Sequence, residues 1–181
     1  LERSIALLER TPKVLRSLLE DLDSDFINLN EGPDTWSPFD IIGHLIYGEK
    51  TDWISRTELI LNSNTDKTFA PFDRFDQFEA SKGKSIDDLL DECERLREAN
   101  LQKLLSLNIT IEDLDKTGMH PSPGRVTLRE LLSTWVTHNL GHLAQTSRVL
   151  SKQYKNDSGP WIEYICIKPL INPLSSHCSH C

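Results

Sequence analysis

The 181-residue sequence has few cysteines, no excess of basic residues and no long apolar run, and each absence excludes a class of protein. Only four residues are cysteines, and Cys93 and Cys166 each stand alone, so a disulfide scaffold is not expected. Acidic residues outnumber basic ones by 28 to 20. Without a cluster of Lys and Arg, the chain also lacks the basic surface with which proteins bind nucleic acids.

The apolar content of the chain is that of a protein with one ordinary core. Hydrophobic residues make up 38% of the sequence, and the longest uninterrupted apolar runs are too short to cross a bilayer. The N-terminal segment LERSIALLERTPKVL is charged and amphipathic and does not resemble a secretory signal. We therefore expect a cytoplasmic protein without a membrane partner, built as one domain over residues 1–165 with a C-terminal tail over residues 166–181.

Four segments place apolar residues at the spacing of a helix, and no segment alternates convincingly as a strand does. Each segment is preceded by a Ser or Thr that can cap its first turn, namely Thr11, Ser37, Ser85 and Thr127. The predicted helices extend from about Pro12 to Phe26, Pro38 to Leu61, Ile86 to Leu107 and Leu128 to Ser151. The pattern predicts an all-α protein.

The connections between the predicted helices differ in length. A short linker joins the first two helices, whereas the linkers 62–85 and 108–125 are long for structureless loops. We expect the linker 62–85 to cross one end of the helices and to pack Phe69, Phe72 and Phe75 there. The predicted architecture is a four-helix bundle with long crossover loops.

Two histidines lie on the apolar face of the last predicted helix. His138 and His142 continue the row that contains Trp135, because these positions are spaced three or four residues apart. His44 has a comparable position on the second predicted helix, where Gly48, one turn later, leaves space beside it. All three imidazoles are therefore predicted to face the interior.

Residue chemistry alone leaves two interpretations of these histidines open. Each could be a packed core residue with its own hydrogen-bond partners, since buried polar groups require them. Alternatively, one divalent cation satisfies all three, because histidines at i and i+4 can present their nitrogens to one metal and a facing helix can supply the third ligand. The H-E-x-x-H motif of zincin proteases and the E-x-x-H pairs of di-iron bundles are both missing.

Four sequence segments, in this order, carry a resemblance to a known family. They are TPKVLRSLLEDL, WSPFDIIGHLIYGEKTDW, HPSPGRVTLRELLSTWVTHNLGHLAQTSRVL and GPWIEYI. Together they resemble the DinB/YfiT-like superfamily from about residue 5 to residue 165. The resemblance implies a four-helix bundle with one or two long crossovers, in a family whose members frequently form homodimers. It also implies that His44, His138 and His142 bind a divalent metal cation, commonly zinc, nickel, iron or manganese in such proteins.

The resemblance also leads to expectations about residues next to the ligands. The family motif usually reads H-D-x-x-H-x-x-Q, and here Asn139 stands at the second position while Gln145 keeps its place. Asparagine can accept a hydrogen bond but supplies no charge. We expect Asn139 and Gln145 to support the ligands, together with Tyr47 and Glu49 on the second predicted helix.

Each acidic or phenolic group near His44 also has a simpler interpretation. Tyr47 could hydrogen-bond a metal-bound species or merely pack against its neighbours. Glu49 and Asp52 could orient a ligand or act as a base, although a solvated helix face is the favoured interpretation for both.

Characterised relatives in this superfamily include thiol S-transferases that use bacillithiol or mycothiol. A metal with an open position can bind a thiol and lower its pKa, or bind water and lower its pKa towards about 7, as hydrolases do. We therefore expect a metal-dependent enzyme that acts on a small-molecule substrate, with a low-molecular-weight thiol as one class of cosubstrate. The alternative is a non-catalytic bundle that binds a structural metal or a small ligand.

Some remaining residues have weaker functional signals. Trp36, Trp53 and Trp135 are expected to be core residues rather than a substrate platform, and His120 is expected at the rim of a pocket. The terminal HCSHC, residues 177–181, contains a C-x-x-C pair. Structural zinc sites draw their ligands from separated turns, so we do not interpret this segment as a native zinc site.

Overall fold

The computed structural model describes residues 1–63, 66–73 and 75–165, and this part of the chain is mainly helical. Its α-helices are α1 (Glu2–Leu8), α2 (Thr11–Leu19), α3 (Ser24–Asn28), α4 (Pro38–Thr51), α5 (Trp53–Leu61), α6 (Asp76–Ser81), α7 (Ile86–Ser106) and α8 (Leu128–Gln153). Its strands β1 (Thr117–His120) and β2 (Gly124–Thr127) form an antiparallel hairpin. Short 3-10 segments occupy Asp113–Asp115 and Gly159–Tyr164.

The predicted four-helix bundle is confirmed. Helix α4 packs against α7 and α8, and α2 packs against the same two helices from another side. A capping box begins each of α4, α7 and α8, at Ser37, Ser85 and Thr127 respectively. In each box the hydroxyl of the capping residue accepts from the backbone N–H of the third helical residue, and the acidic side chain of that third residue accepts from the backbone N–H of the capping residue. These three predicted caps are confirmed.

The first two predicted helices are each interrupted. Residues 20–23 separate α2 from α3, because Glu20 is extended and Asp21 has a φ of 59°. Thr11 lies inside the first turn of α2 instead of capping it. The second predicted helix is divided at Asp52, whose φ of −106° and ψ of −69° depart from helical values. The apolar period continues across both interruptions, so the sequence pattern did not show them.

The hairpin of β1 and β2 contradicts the expectation that the chain has no strand. Its strands are four residues long, which is too short for alternation to stand out from the surrounding loop. Phe69 packs beneath it, with its N–H bonded to the carbonyl of Met119 at 2.8 Å. Phe72 is half-buried. Phe75 immediately precedes α6 and is 71% exposed, so the predicted packing of Phe75 is wrong.

Two apolar clusters fill the bundle. One contains Trp53, Trp135 and Phe69 beneath the hairpin, and the other joins α2, α4 and α7 around Ile41, Leu90 and neighbouring residues. Over the described residues, every helix is too short or too polar to span a membrane.

Candidate metal centre

The three histidines come together between α4 and α8. His44 lies on α4, and His138 and His142 lie one turn apart on α8. Nε2 of His138 is 3.0 Å from Nε2 of His44 and 3.1 Å from Nε2 of His142. Two nitrogens that bind one cation in adjacent positions, each about 2.1 Å from it, are separated by about the same distance. The spacing of these atoms therefore fits one shared divalent cation.

Two glutamines set the tautomers of the outer histidines. Nδ1 of His44 donates to Oε1 of Gln77, and Nδ1 of His142 donates to Oε1 of Gln145, each over 2.9 Å. A proton held on Nδ1 leaves the lone pair of Nε2 directed at the shared point, as a metal ligand requires. The donor set thus fits a cation that prefers neutral nitrogen ligands.

His138 differs from the other two histidines. Its Nδ1 is buried and has no hydrogen-bond partner among the described residues. Leaving a buried nitrogen unpaired costs free energy, and groups of this kind concentrate at functional sites. The Nε2 atoms of His44 and His142 both act as acceptors when their protons are on Nδ1, and Nε2 of His138 can donate to only one of them. Three packed histidines therefore leave one of these contacts unsatisfied, whereas a shared cation accepts all three lone pairs, which favours the metal-bound interpretation.

Burial keeps all three imidazoles neutral. Desolvation is the main cause that lowers the pKa of His44 to about 3 and that of His142 to about 4, while the hydrogen bonds to the glutamines act in the opposite direction. The pKa of His138 is lowered well below its usual value, mainly by burial and then by its two histidine neighbours. Neutral imidazole is the form that binds a metal.

Aromatic rings surround the cluster. Trp36 packs its ring 4.7 Å from that of His44 and 5.9 Å from that of His142. Phe72 meets the His44 ring edge-on at 5.5 Å, and Trp53 lies 5.3 Å from the His138 ring. Trp53 and Trp135 are buried in the core as predicted, but Trp36 is also part of the site wall. These rings limit the access of water to the cluster.

A cavity of about 140 Å³ opens beside His44 and His138. Its wall is mainly apolar. The residues that line it are His44, Gly48, Asp52, Trp53, Arg56, Phe69, Phe72, His120, Pro123, Val126, Glu130, Leu131, Thr134 and His138. His120 is therefore at the pocket, as predicted, and two of the predicted ligands, His44 and His138, lie where a small molecule can reach them.

Glu49 and Asn139 do not contact the histidines. Both bond to Arg97, whose guanidinium lies 2.6 Å from Oε1 of Glu49 and 2.8 Å from Oδ1 of Asn139. Oε1 of Glu49 also accepts from the indole of Trp135. The expectation that Glu49 and Asn139 support the ligands is therefore wrong, because both side chains bond to Arg97 in the core instead. The expectation that Glu49 lies on a solvated face is wrong for the same reason.

Of the other residues predicted near the ligands, Gln145 contacts a histidine and Tyr47 and Asp52 have other partners. Gln145 reaches His142, whereas the hydroxyl of Tyr47 donates to Asp76 at the surface, so Tyr47 does not reach the histidines through its hydroxyl. Asp52 is buried and pairs with Arg56 at 3.0 Å, which overturns its assignment to a solvated face. The terminal HCSHC lies outside the described residues.

The sequence interpretation missed Gln77 and Arg97. Gln77 lies 33 residues from His44 in the linker 62–85, and α6 brings it to the site. Arg97 interrupts the apolar row of α7 between Cys93 and Leu101, and a charge at an inward position is the signal that could have identified it.

Comparisons with known proteins agree with the fold. The DinB superfamily model matches residues 7–146. YfiT from Bacillus subtilis, described as a probable metal-dependent hydrolase with an unusual four-helix bundle topology, is 19% identical and superposes with a TM-score of 0.70, over 84% of this chain and 86% of its own. TT2238, described as a four-helix bundle protein, is 18% identical with a TM-score of 0.54, over 81% of this chain and 97% of its own. A search of curated proteins found no match.

Proposed function

Since the chain belongs to the DinB superfamily, we propose that it is a metal-dependent hydrolase of small molecules, with a divalent cation held by His44, His138 and His142. The observation that carries the proposal is the convergence of three neutral imidazoles, two of which, His44 and His138, line an open cavity. Among the metals expected from the sequence, zinc, nickel and iron suit such imidazole ligands, whereas manganese prefers oxygen ligands. The description of YfiT as a probable metal-dependent hydrolase supports the same class of reaction.

The cation, the glutamines and the aromatic residues would have different roles in the site. A bound cation supplies Lewis acidity, lowering the pKa of water and polarising a substrate carbonyl or phosphoryl oxygen. Gln77 and Gln145 orient the imidazoles of His44 and His142. Trp36, Phe72 and Trp53 exclude bulk water around them, which strengthens electrostatic interactions within the site.

Thiol transfer is the second candidate, and the state of Cys93 bears on it. Cys93 is buried on α7, and desolvation raises the pKa of its thiol to about 12, so it does not provide a thiolate near neutral pH. A transferase built on this site would therefore use a low-molecular-weight thiol from solution. Hydrolysis and thiol transfer then differ in whether turnover depends on an added thiol.

Metal analysis tests the site. The untagged protein, purified without affinity metals, should contain about one divalent ion per chain, as expected for one three-histidine site. The His138→Ala/His142→Ala variant should lose that ion, whereas His120→Gln, a change at the pocket rim, should retain it. A native protein that neither contains nor takes up a divalent metal would contradict the proposal.

A substrate screen tests the reaction. A panel of small esters, amides and phosphoesters is incubated with metal-loaded protein, with and without a chelator, and with and without added thiols. We expect hydrolysis that needs the metal and no thiol. Product that forms only with a thiol would support the transferase. A metal whose removal lowers the melting temperature, in a protein that turns over nothing, would support the structural role.

A further inference from the structure

Apolar side chains from several parts of the chain line the cavity beside the histidines. Among the described residues they include Trp53 on α5, Phe69 and Phe72 in the linker 62–85, Val126 on β2 and Leu131 on α8. Two of these rings reach the predicted ligands themselves. The ring centroid of Phe72 lies 5.5 Å from that of His44, and the centroid of Trp53 lies 5.3 Å from that of His138. The apolar wall therefore begins directly at the histidines.

The charged side chains at this cavity are already engaged within the protein. Among the described lining residues they are Asp52, Arg56 and Glu130. Asp52 and Arg56 form a buried ion pair at 3.0 Å. Glu130 accepts from the backbone N–H and the hydroxyl of Thr127 in the capping box of α8. A charged group of a substrate would have to compete with these partners, and a charge buried without a partner is costly.

The hairpin holds part of the apolar wall in place. The N–H of Phe69 bonds to the carbonyl of Met119 at 2.8 Å, and the N–H of Met119 bonds to the carbonyl of Lys67 at the same distance. Gly118 lies so close to the Phe69 ring that an added Cβ would be 2.6 Å from a ring carbon. A side chain at position 118 would displace the ring, so this part of the wall depends on the close approach that glycine allows.

The size of the cavity suits a small hydrocarbon group. Its volume is about 140 Å³. An engineered protein cavity of about 150 Å³ that is lined by Leu, Ile and Phe binds benzene. A group of about six carbons therefore fits, and each CH₂ that it buries contributes up to about fourfold in affinity.

We propose that the substrate carries an uncharged apolar group of about six carbons next to the hydrolysed bond, and that this group occupies the cavity while the bond lies at the three histidines. This inference rests on the proposed function, since it places the reacting bond at the metal ligands. It names the substrate class as small esters, amides or phosphoesters with a hydrocarbon substituent. It also assigns size specificity to Val126, which is half-buried and lines the cavity from β2.

A set of hydroxamates tests the size and the charge of this group. Hydroxamates bind divalent cations through two oxygens, so each compound places its substituent beside the metal. The size series carries methyl, propyl, cyclohexyl and cyclooctyl groups. One charge pair compares cyclohexyl with piperidin-4-yl, a ring of similar size that is protonated at neutral pH. The other compares pentanohydroxamate with its analogue that ends in a carboxylate. Isothermal titration calorimetry measures the affinity for metal-loaded protein.

The expected result is an optimum in size and a penalty for charge. Affinity should rise by up to about fourfold for each added carbon as far as cyclohexyl, and cyclooctyl should bind more weakly. Each charged compound should bind about tenfold more weakly than its uncharged counterpart, or worse.

A pair of valine variants tests the assignment of size specificity. Val126→Ala removes two methyl groups from the cavity wall, so cyclooctyl should become the tightest ligand. Val136→Ala is the matched control, because Val136 is half-buried and packs against the same apolar cluster but does not line the cavity. Cyclohexyl should remain the tightest ligand of that variant. An optimum that stays at cyclohexyl in Val126→Ala would overturn the role of this residue.

Toluene gives a readout that needs no metal. Ligand-observed NMR should show that it binds to chelator-treated protein, because the apolar wall belongs to the chain itself. If hydroxamates bind with the same affinity whatever their substituent, or if the charged compounds bind as tightly as the uncharged ones, the inference is overturned while the metal site stands. If no hydroxamate binds to protein that has been offered metal, the proposed function fails. Binding of toluene would then still support an apolar binding cavity, and its absence would overturn that as well.

Discussion

At the scale of single residues, two amide oxygens decide which nitrogen of each outer histidine faces the shared point. Gln77 and Gln145 hold the protons on Nδ1 of His44 and His142, and so keep both Nε2 lone pairs free. Partners of this kind orient a ligand and raise its basicity. Gln145 lies three residues after His142 and was predicted, whereas Gln77 comes from a distant linker and was not.

Replacing either glutamine should weaken metal binding without unfolding the protein. We expect Gln77→Leu and Gln145→Leu each to lower the affinity for zinc by about 10- to 100-fold, because the imidazole loses its fixed tautomer. Gln77→Glu should preserve the affinity, since a carboxylate accepts the same proton. Competition with a chromophoric chelator measures the affinity.

The control for this measurement is Gln102→Leu, at an exposed position of α7. Its zinc affinity should equal that of the native protein. If both leucine variants at the site also bind zinc with native affinity, the glutamines do not position the ligands.

At the scale of elements, the segment between α3 and α4 places Trp36 against the histidines, and Glu31 anchors this segment to α8. Glu31 accepts from Arg148 at 2.7 Å and lies 2.9 Å from Lys152, both on α8. The hydrogen bond from Arg148 is the largest cause that lowers the pKa of Glu31 below its ordinary value of 4.5. This ion pair therefore links a loop over the site to the helix that carries His138 and His142.

Glu31→Gln should reduce stability in a manner that depends on pH. A lowered folded-state pKa means that the carboxylate stabilises the fold above about pH 4.5 and that this contribution is lost as pH falls through the lower folded value. We expect the variant to lose about 1 to 2 kcal/mol of unfolding free energy at pH 7, with partial screening of the pair taken into account. The difference from the native protein should shrink below pH 4.5.

Urea unfolding from pH 3.5 to pH 7.5, with a chelator present in every sample, measures this difference. Glu98→Gln, on the exposed face of α7, serves as the control and should show no such pH dependence. A deficit of the same size at all pH values would contradict the assigned role of the ion pair.

At the scale of the whole molecule, the buried ion pair of Arg97 and Glu49 connects α1, α4, α7 and α8. The side chains of Arg97 and Glu49 are 3% and 0% exposed and lie 2.6 Å apart. Arg97 also donates to the carbonyl of Leu8 at the end of α1 and to Asn139 on α8. A carboxylate at position 139 would add a second negative charge beside this guanidinium, whereas the asparagine leaves Arg97 and Glu49 as a balanced pair.

Removing the cation alone should be costly. We expect Arg97→Met to lose about 3 to 5 kcal/mol of unfolding free energy, because it leaves Glu49 buried without its charge partner. The double variant Arg97→Met/Glu49→Gln should lose less than the sum of the two single variants, since neither charge then remains alone. Chemical unfolding of all three proteins measures the coupling.

Arg95→Met, at an exposed position of the same helix, is the control for loss of a positive charge. It should change the free energy of unfolding by less than about 0.5 kcal/mol. Additive effects of the Arg97 and Glu49 changes would show that the pair is not coupled.

The sequence by itself determined where α4, α7 and α8 begin and that the histidines face inward. Apolar residues at helical spacing, together with the cap residues Ser37, Ser85 and Thr127, locate the starts of α4, α7 and α8 because these signals act within a few residues of each other. The same local periodicity put His138 and His142 on one face of α8.

Only the tertiary structure decided what these side chains meet. Glu49 and Asp52 looked like a solvated face because a helical period does not reveal the partner helix, and Arg97 and Arg56 give these acids their buried partners. Gln77 and Trp36 reach the histidines from linkers that carry no periodic signal. Contacts between distant segments depend on how helices pack, and that packing is a property of the folded chain rather than of any short stretch of its sequence.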